Sequence, residues 1–436
     1  MKAFSFLHAA DLHLDSPFKG LQLEKSRLRQ RLITASFESL NRLVETAIAK
    51  QVSFVLLAGD VFDLEDRSLR AQHALYQACA RLGDAGISVY AIHGNHDPQD
   101  GAWLNLDWPE TVHFFSAKQV EQVEIKDRHG DPIAAVSGIS YPTRHVLDNL
   151  SSLFPVKDEQ ERRLYQIALL HAQVGTSADH EPYSPCQLTD LTSKGYHYWA
   201  LGHIHARQVL HEDPYVVYPG NIQGRHRKEK DEKGCYVVHV DTDQSTRLEF
   251  VPLHAVQFGE MRVEVAGTPR LHELSEQIQE QLETSWQNQQ RSLLLRLVFT
   301  GDGDLACLGA DEEDVRLWLQ DVFEPFEKGL HSGQHDRFLA LESWVDETQS
   351  VVFEHDLPDS EFLRHIWQEG ADWLNELRTD SPSAIEEVLE PIHANRKAVK
   401  YMPKWSAAEW AELVEKARQE AIRTLLKQES GVTDAN

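Results

Sequence analysis

Short apolar runs, each ending at a polar or acidic residue, recur through the first half of the chain. They are Phe4–Ala9, Val52–Ala58, Val89–Ile92, Ile167–Leu170 and Tyr198–Leu201. Runs of this length bounded by loop residues predict buried strands. Between the first two, Leu28, Leu32, Phe37, Leu40, Leu43 and Val44 keep helical spacing, which predicts one amphipathic helix over 26–50. A second helix is expected over 67–83. From about residue 111 the pattern becomes short and strand-like, at Val112–Phe115, Val120–Ile125, Ile133–Gly138 and Tyr165–Leu170. Further strands are expected at Arg207–Leu210, Cys235–Val240 and Arg247–Val251. Alternating strands and helices followed by a run of strands predict an α/β fold of two packed sheets flanked by helices.

The pattern changes after residue 253. Met261–Val265, Leu293–Phe299 and Phe338–Val345 read as strands, and Leu271–Gln287 and Asp311–Glu327 as helices. This predicts a small α+β cap domain over 254–352, behind a two-sheet αββα sandwich domain over 1–253. The remainder, 353–436, reads as a C-terminal helical region. Asp359 or Ser360 is placed to cap a helix carrying Phe362, Ile366, Trp373 and Leu377. Ser406-Ala407-Ala408-Glu409 forms a capping box before a helix with Trp410, Leu413, Val414, Ala417, Ala421 and Leu425 on one face. The Tyr401–Trp405 entry and this stripe suit either a helical core or a docking element. The last residues, Glu429–Asn436, are expected to fray.

Composition fits a soluble, multidomain chain: 436 residues, 41% hydrophobic and 26% charged. The four cysteines, Cys79, Cys186, Cys235 and Cys307, lie far apart without a CxxC pair. That argues against a zinc knuckle or disulfide framework and points to a reducing cytoplasm. Asp11 and His13 interrupt the N-terminal apolar stretch too early for a signal peptide, and no 18-residue apolar run predicts a membrane span. The net charge is −26. Residues 1–250 carry 26 Lys and Arg against 33 Asp and Glu, whereas 251–436 carry 17 against 36. The acidity is therefore concentrated in the last part of the chain, which need not touch a phosphate backbone. Sixteen of the 23 histidines lie in the first 250 residues, and bound cations would offset the acids there.

The apolar runs end on chemistry. Asp11-Leu12-His13, Gly59-Asp60-Val61-Phe62-Asp63, Gly94-Asn95-His96-Asp97, His171 and Gly202-His203-Ile204-His205 each stand where a strand gives way to a loop. Singly, an Asp-x-His is an ordinary loop and a Gly-Asn-His-Asp an Asx-capped turn. Together, five strand ends can bring about eight nitrogen and oxygen donors to one point, enough for two divalent cations. The lack of a thiolate favours Mn²⁺, with Fe²⁺ or Mg²⁺ as alternatives, over structural zinc. In Gly202-His203-Ile204-His205 the i, i+2 spacing aims both imidazoles to one side of an extended strand. His8, His93 and His197 read as packing residues or supports for ligands. Asp15 and Asp97 either orient ligands or cap loops.

These motifs resemble those of the calcineurin-like metallophosphoesterases, whose pattern runs D-x-H, G-D-x-x-D, G-N-H-D/E, H and G-H-x-H. The likeness covers about residues 1–253. It implies that Asp11, His13 and His205 bind one metal ion, that Asn95, His171 and His203 bind a second, and that Asp60 bridges them. His96 then looks like the catalytic group that assists the leaving oxygen. Within the superfamily the Gly59–Asp63 signature and the long C-terminal region look most like SbcD-type DNA repair exonucleases. Tyr218-Pro219-Gly220-Asn221-Ile222-Gln223-Gly224-Arg225-His226 looks like the YhaO-like bacterial branch. Archaeal and eukaryotic relatives carry a second catalytic histidine near the position of Asp63, where this chain, like bacterial SbcD-type sequences, has aspartate.

The resemblance implies a metal-dependent DNA exo- or endonuclease that partners an SMC-like coiled-coil ATPase subunit, with a homodimer as a further expectation. Arg225, Arg227 and Lys228 stand in a basic stretch suited to clamping phosphates, although Glu229, Asp231 and Glu232 dilute it. Two other readings stay open: a small-substrate phosphodiesterase or phosphatase of the same fold, and a mainly partner-binding subunit of an ATPase complex.

Overall fold

A computed structural model describes residues 2–16, 18, 26–63, 68–101, 103–104, 106–175, 183–266, 270–303, 305, 312–332, 337–348, 357–358, 360–378 and 407–429. Four strands open the first sheet: β1 (Phe4–Ala9), β2 (Phe54–Ala58), β3 (Ser88–Ile92) and β4 (Val112–Phe114). The chain then builds a second sheet from β5 (Glu121–Lys126), β6 (Pro132–Gly138), β7 (Tyr165–His171), β8 (Tyr198–Gly202), β9 (Gln208–Glu212) and β10 (Tyr215–Tyr218). It returns to the first with β11 (Gly234–Val240) and β12 (Thr246–Pro252). The strand orders are β12-β11-β1-β2-β3-β4 and β5-β6-β7-β8-β10-β9. The central strands β1-β2-β3 and β6-β7-β8 run parallel, so their carboxyl ends share one edge of each sheet.

Parallel strands covered on both faces are apolar throughout, which is why β2 reads Phe-Val-Leu-Leu-Ala and is buried along its length. Successive side chains still separate by face. Phe6 stacks on Phe54 at 5.1 Å and meets Tyr198 of the second sheet edge-on at 5.3 Å. Leu7 and Ala9 face the other way, into a core shared with helices α1 (Ser26–Ala49) and α2 (Leu69–Asp84). The Ser68 hydroxyl accepts the Ala71 N–H at 3.0 Å and starts α2 two residues later than the pattern predicts. The outer face of the second sheet is covered by Tyr141, Phe154, Tyr196 and the one-turn α3 (Leu188–Thr192). Together the sheets and helices form the expected α/β sandwich.

Strand β10 is not among the strands expected from the apolar pattern, although Tyr215-Val216-Val217-Tyr218 between Asp213-Pro214 and Pro219-Gly220 consists of strand formers. Its four residues lie between two turns, and its place is set by parallel pairing with β8, a contact that local periodicity does not encode. Beyond the sandwich, β13 (Val256–Glu264), β14 (Ser292–Thr300) and β15 (Leu339–Asp346) make a three-stranded sheet. Helices α4 (Leu271–Asn288) and α5 (Glu312–Phe323) lie between these strands in the sequence. Helix α5 ends earlier than expected because Pro325 follows in a single 3₁₀ turn, Glu324–Phe326. A short α6 (Gly329–Ser332) precedes β15.

The described chain divides into two compact units. The first comprises residues 1–263, 275–298 and 310–345, and the second 264–274, 299–309 and 346–436. In the first, Leu28, Leu32 and Ala35 of α1 are buried with Val256, Phe258, Leu294 and Phe338. In the second, α7 (Glu361–Arg378) and α8 (Ala407–Glu429) pair over Leu363 and Ile422, with Trp367 and Leu425 against them. Ser360 caps α7 through Leu363 N–H at 3.4 Å. The Arg418 guanidinium lies 4.1 Å over the Trp367 ring. Ser406 of the expected capping box, the Tyr401–Trp405 entry and the tail after Glu429 lie outside the described residues. No described helix is long and apolar enough to cross a membrane.

Candidate metal centre

The carboxyl ends of β1, β2, β3, β7 and β8 deliver the five motifs to one place. Loop backbones lock the first two together: Asp11 N–H donates to Gly59 O at 3.1 Å and His13 N–H to Asp60 O at 3.0 Å. Asp97 ties in the third, accepting the N–H groups of Asp60, Val61 and Gly94 at 2.7–3.1 Å. Of its two expected roles, Asp97 therefore anchors loops. Asp11, His13, Asp60 and His203 all have positive φ, at 51°, 41°, 51° and 103°. Such backbone costs on the order of 1–3 kcal/mol per residue and persists where surrounding structure over-determines it. A Cβ at Gly94 would overlap the Asp60 carboxylate, so the motif glycine lets two loops approach.

Three donor sets result, each with atoms within 4.8 Å of one another: Asp11, His13 and His205; Asp11, Asp60 and His171; and His13, Asp63 and His96. His13 Nε2 and His205 Nε2 face each other at 3.1 Å, with Asp60 Oδ2 3.9 Å from His13 Nε2. His171 Nε2 lies 3.0 Å from Asn95 Oδ1 and 3.4 Å from Asp60 Oδ2. The His203 ring stands 5.3 Å from that of His171. Its backbone N–H donates to both Asp11 oxygens at 3.0 and 3.1 Å. Asp11, His13, Asp60, Asn95 and His171 are all buried, while His96, His203 and His205 are half-buried. His8, bonded to Tyr198 Oη at 3.0 Å, and His93, stacked on Phe114, are packing groups outside these sets.

The electrostatics suit cations. Burial opposes the charge on Asp60, but His171, His96 and His13 outweigh it and hold the carboxyl well below the usual range. The reciprocal effect appears at His171: burial opposes its proton, yet Asp60 and Asp11 raise it to about 9. Burial, with the Arg225 charge, lowers His13 to about 3, leaving a neutral imidazole able to ligate. Carboxylates, imidazoles and an amide without thiolate fit two hard or intermediate divalent cations. Asp11, His13 and His205 would hold one, Asn95, His171 and His203 the other, and Asp60 would lie between them.

Two further carboxylates hold the site's outer side: Asp63, the last residue of the Gly59–Asp63 motif, and Glu229, whose role nothing in its sequence context reveals. Asp63 accepts from His13 Nδ1 at 3.1 Å, His96 Nδ1 at 2.6 Å and Arg225 Nη1 at 3.0 Å, and from the Ser16 hydroxyl. Glu229 accepts from His205 Nδ1 at 2.8 Å. The three basic candidates separate. Arg225 is half-buried on Asp63, its buried Nε without a hydrogen-bond partner among the described residues, whereas Arg227 and Lys228 are exposed.

Residues 4–207 match the family described as calcineurin-like phosphoesterase. The uncharacterized metallophosphoesterase YhaO of Bacillus subtilis is 36% identical over 347 residues, covering 79% of this chain and 82% of that protein. The DNA double-strand break repair protein Mre11 of Sulfurisphaera tokodaii is 25% identical over 259 residues, 56% of this chain and 62% of that one. A component of the nuclease SbcCD of Bacillus subtilis is 25% identical over 233 residues, 47% of this chain and 57% of that one. The chain thus spans less than two thirds of the latter two.

Proposed function

Because the chain belongs to the calcineurin-like phosphoesterase family, we propose that it is a DNA nuclease hydrolysing phosphodiester bonds with two divalent cations, Mn²⁺ foremost. One observation carries the reading: donors from five strand ends converge beside a histidine and an arginine, His96 and Arg225, which share one carboxylate, that of Asp63. The names of the Mre11 and SbcCD relatives support DNA as the substrate class. An SMC-like coiled-coil ATPase is the proposed partner, with the exposed Phe362 and Leu413 of the paired helices as its contact.

When bound, the cations would supply Lewis-acid activation of the phosphodiester and of the attacking water. The chain's own residues do the rest. Asp60, held ionised by the histidines around it, fixes charge at the carboxyl edge of the sheets. Burial disfavours a proton on His96, but the Asp63 hydrogen bond and the Asp60 and Asp63 charges prevail, so its pKa is raised. With Nδ1 held by Asp63, Nε2 is left to give a proton to the leaving oxygen. Arg225, held by Asp63 through Nη1 at 3.0 Å, sets a positive charge beside the site that opposes the charge building on the phosphate. The test is cleavage of end-labelled linear DNA in Mn²⁺ by the protein and by Asp60→Ala. Degradation abolished in the variant supports the nuclease. Hydrolysis of a chromogenic diester without DNA cleavage would move the substrate to small phosphodiesters.

A further inference from the structure

Glu229 sits in a run of mixed charge, where its sequence context suggests only a solvated hairpin. The fold buries it instead, with its side chain 8% exposed. Oε1 accepts from His205 Nδ1 at 2.8 Å, and His226 Nε2 lies 3.5 Å away. Oε2 accepts from Arg225 N–H at 2.7 Å and from Asn221 Nδ2 at 3.2 Å. Four residues on, Lys233 Nζ donates to the His205 carbonyl at 2.9 Å. The turn 229–233 therefore grips His205 by its ring and by its main chain.

A histidine ligates through one ring nitrogen, and the hydrogen bond at the other decides which. A carboxylate at Nδ1 requires the proton there and leaves the lone pair on Nε2, the atom 3.1 Å from His13 Nε2. We propose that Glu229 is a positioning residue of the metal centre. It sets the tautomer and direction of His205 and, through the Arg225 backbone, holds the arginine paired with Asp63 from the same carboxylate. The proposal rests on the two-metal reading above. Glutamine is not an equivalent here. Three donors converge on two carboxylate oxygens, and an amide offers only one acceptor oxygen, so one end of the network must fail.

The experiment is calorimetric titration of the full chain with Mn²⁺, comparing wild type, Glu229→Gln, Glu229→Asp, His205→Ala and the double variant Glu229→Gln/His205→Ala. The glutamine variant should lose roughly 10–100-fold in affinity at one of two sites, with the other unchanged. If Glu229 acts through His205, the double variant should bind no more weakly than His205→Ala alone, because coupled effects do not add. A residue that only stabilised the fold would give additive losses. Should the glutamine variant not fold, the aspartate variant, shorter but still charged, must show the selective loss. Wild-type affinity at both sites in whichever folded Glu229 variant is measured, or losses that add, overturn the role of Glu229 while the metal centre stands. A wild-type protein that binds no divalent cation overturns the metal centre itself.

Discussion

Asp63 Oδ1 lies 2.6 Å from His96 Nδ1, and the same oxygen is 3.1 Å from Nδ1 of His13. One carboxylate thus orients a candidate ligand imidazole and the imidazole proposed to serve the leaving group. Burial disfavours the charge on Asp63, but the bonds to His13 and His96 overcome it and hold the carboxyl far below the usual range. Asp63 is therefore a fixed negative charge at working pH, and its bond to His96 raises that imidazole's affinity for a proton.

Asp63→Asn should accordingly lower turnover on DNA by about a hundredfold or more, the usual worth of general acid assistance. His96→Ala should lose a similar factor with Mn²⁺ still bound, and the double variant should be little worse than either single one. Single-turnover rates at saturating DNA measure this. A His96→Ala protein that cleaves like wild type removes the role assigned to that residue.

The separation of the basic residues predicts two kinds of defect. Arg225 is half-buried against Asp63, so Arg225→Ala should act mainly on kcat, by about two orders of magnitude. Arg227 and Lys228 are exposed, and their alanine variants should weaken DNA binding and flatten its salt dependence by about one phosphate contact each. Measuring kcat and KM at two salt concentrations distinguishes the cases. Identical behaviour in all three variants would contradict the division.

The paired helices carry apolar groups that their own packing leaves in solvent, Phe362 at 62% exposure and Leu413 at 40%. Substituting Asp at both should cost little stability, since neither side chain is buried. The double variant should retain Mn²⁺ binding and lose association with the proposed ATPase partner in sedimentation velocity. Undiminished association would place the contact elsewhere.

Acid should destabilise the sandwich through buried neutral histidines. Burial lowers His8 to about 3 and His254 to about 4, against 6.5 in an unfolded chain. The unfolded state therefore takes protons first, and the stability these groups contribute is complete above pH 6.5 and lost as the pH falls toward about 4 for His254 and about 3 for His8. Each tenfold difference in proton affinity is worth about 1.4 kcal/mol, so the combined loss is several kcal/mol. Calorimetric Tm values in excess chelator between about pH 7.5 and 4.5 should fall steeply, and less steeply for His8→Phe.

The residues of the candidate metal site were legible because each is announced locally. An apolar run predicts a strand, and the residue type at its end carries the chemistry, as with Asp60 after Phe54–Ala58. Burial on both faces made the parallel strands stand out as continuous apolar segments. Helix limits were legible to within a few residues, failing where a cap at Ser68 or Pro325 decided them. By itself, then, the amino-acid order determined the α/β class, the strand-end motifs and the donor types that suit hard divalent cations. Tertiary structure alone decided that Asp63 and Arg225, 162 positions apart, form an ion pair, and that Glu229 faces His205 instead of water. Local periodicity reports which face of an element is buried. It carries no information on the partner a charged side chain meets after two sheets have closed over it, because that meeting depends on every strand register between them.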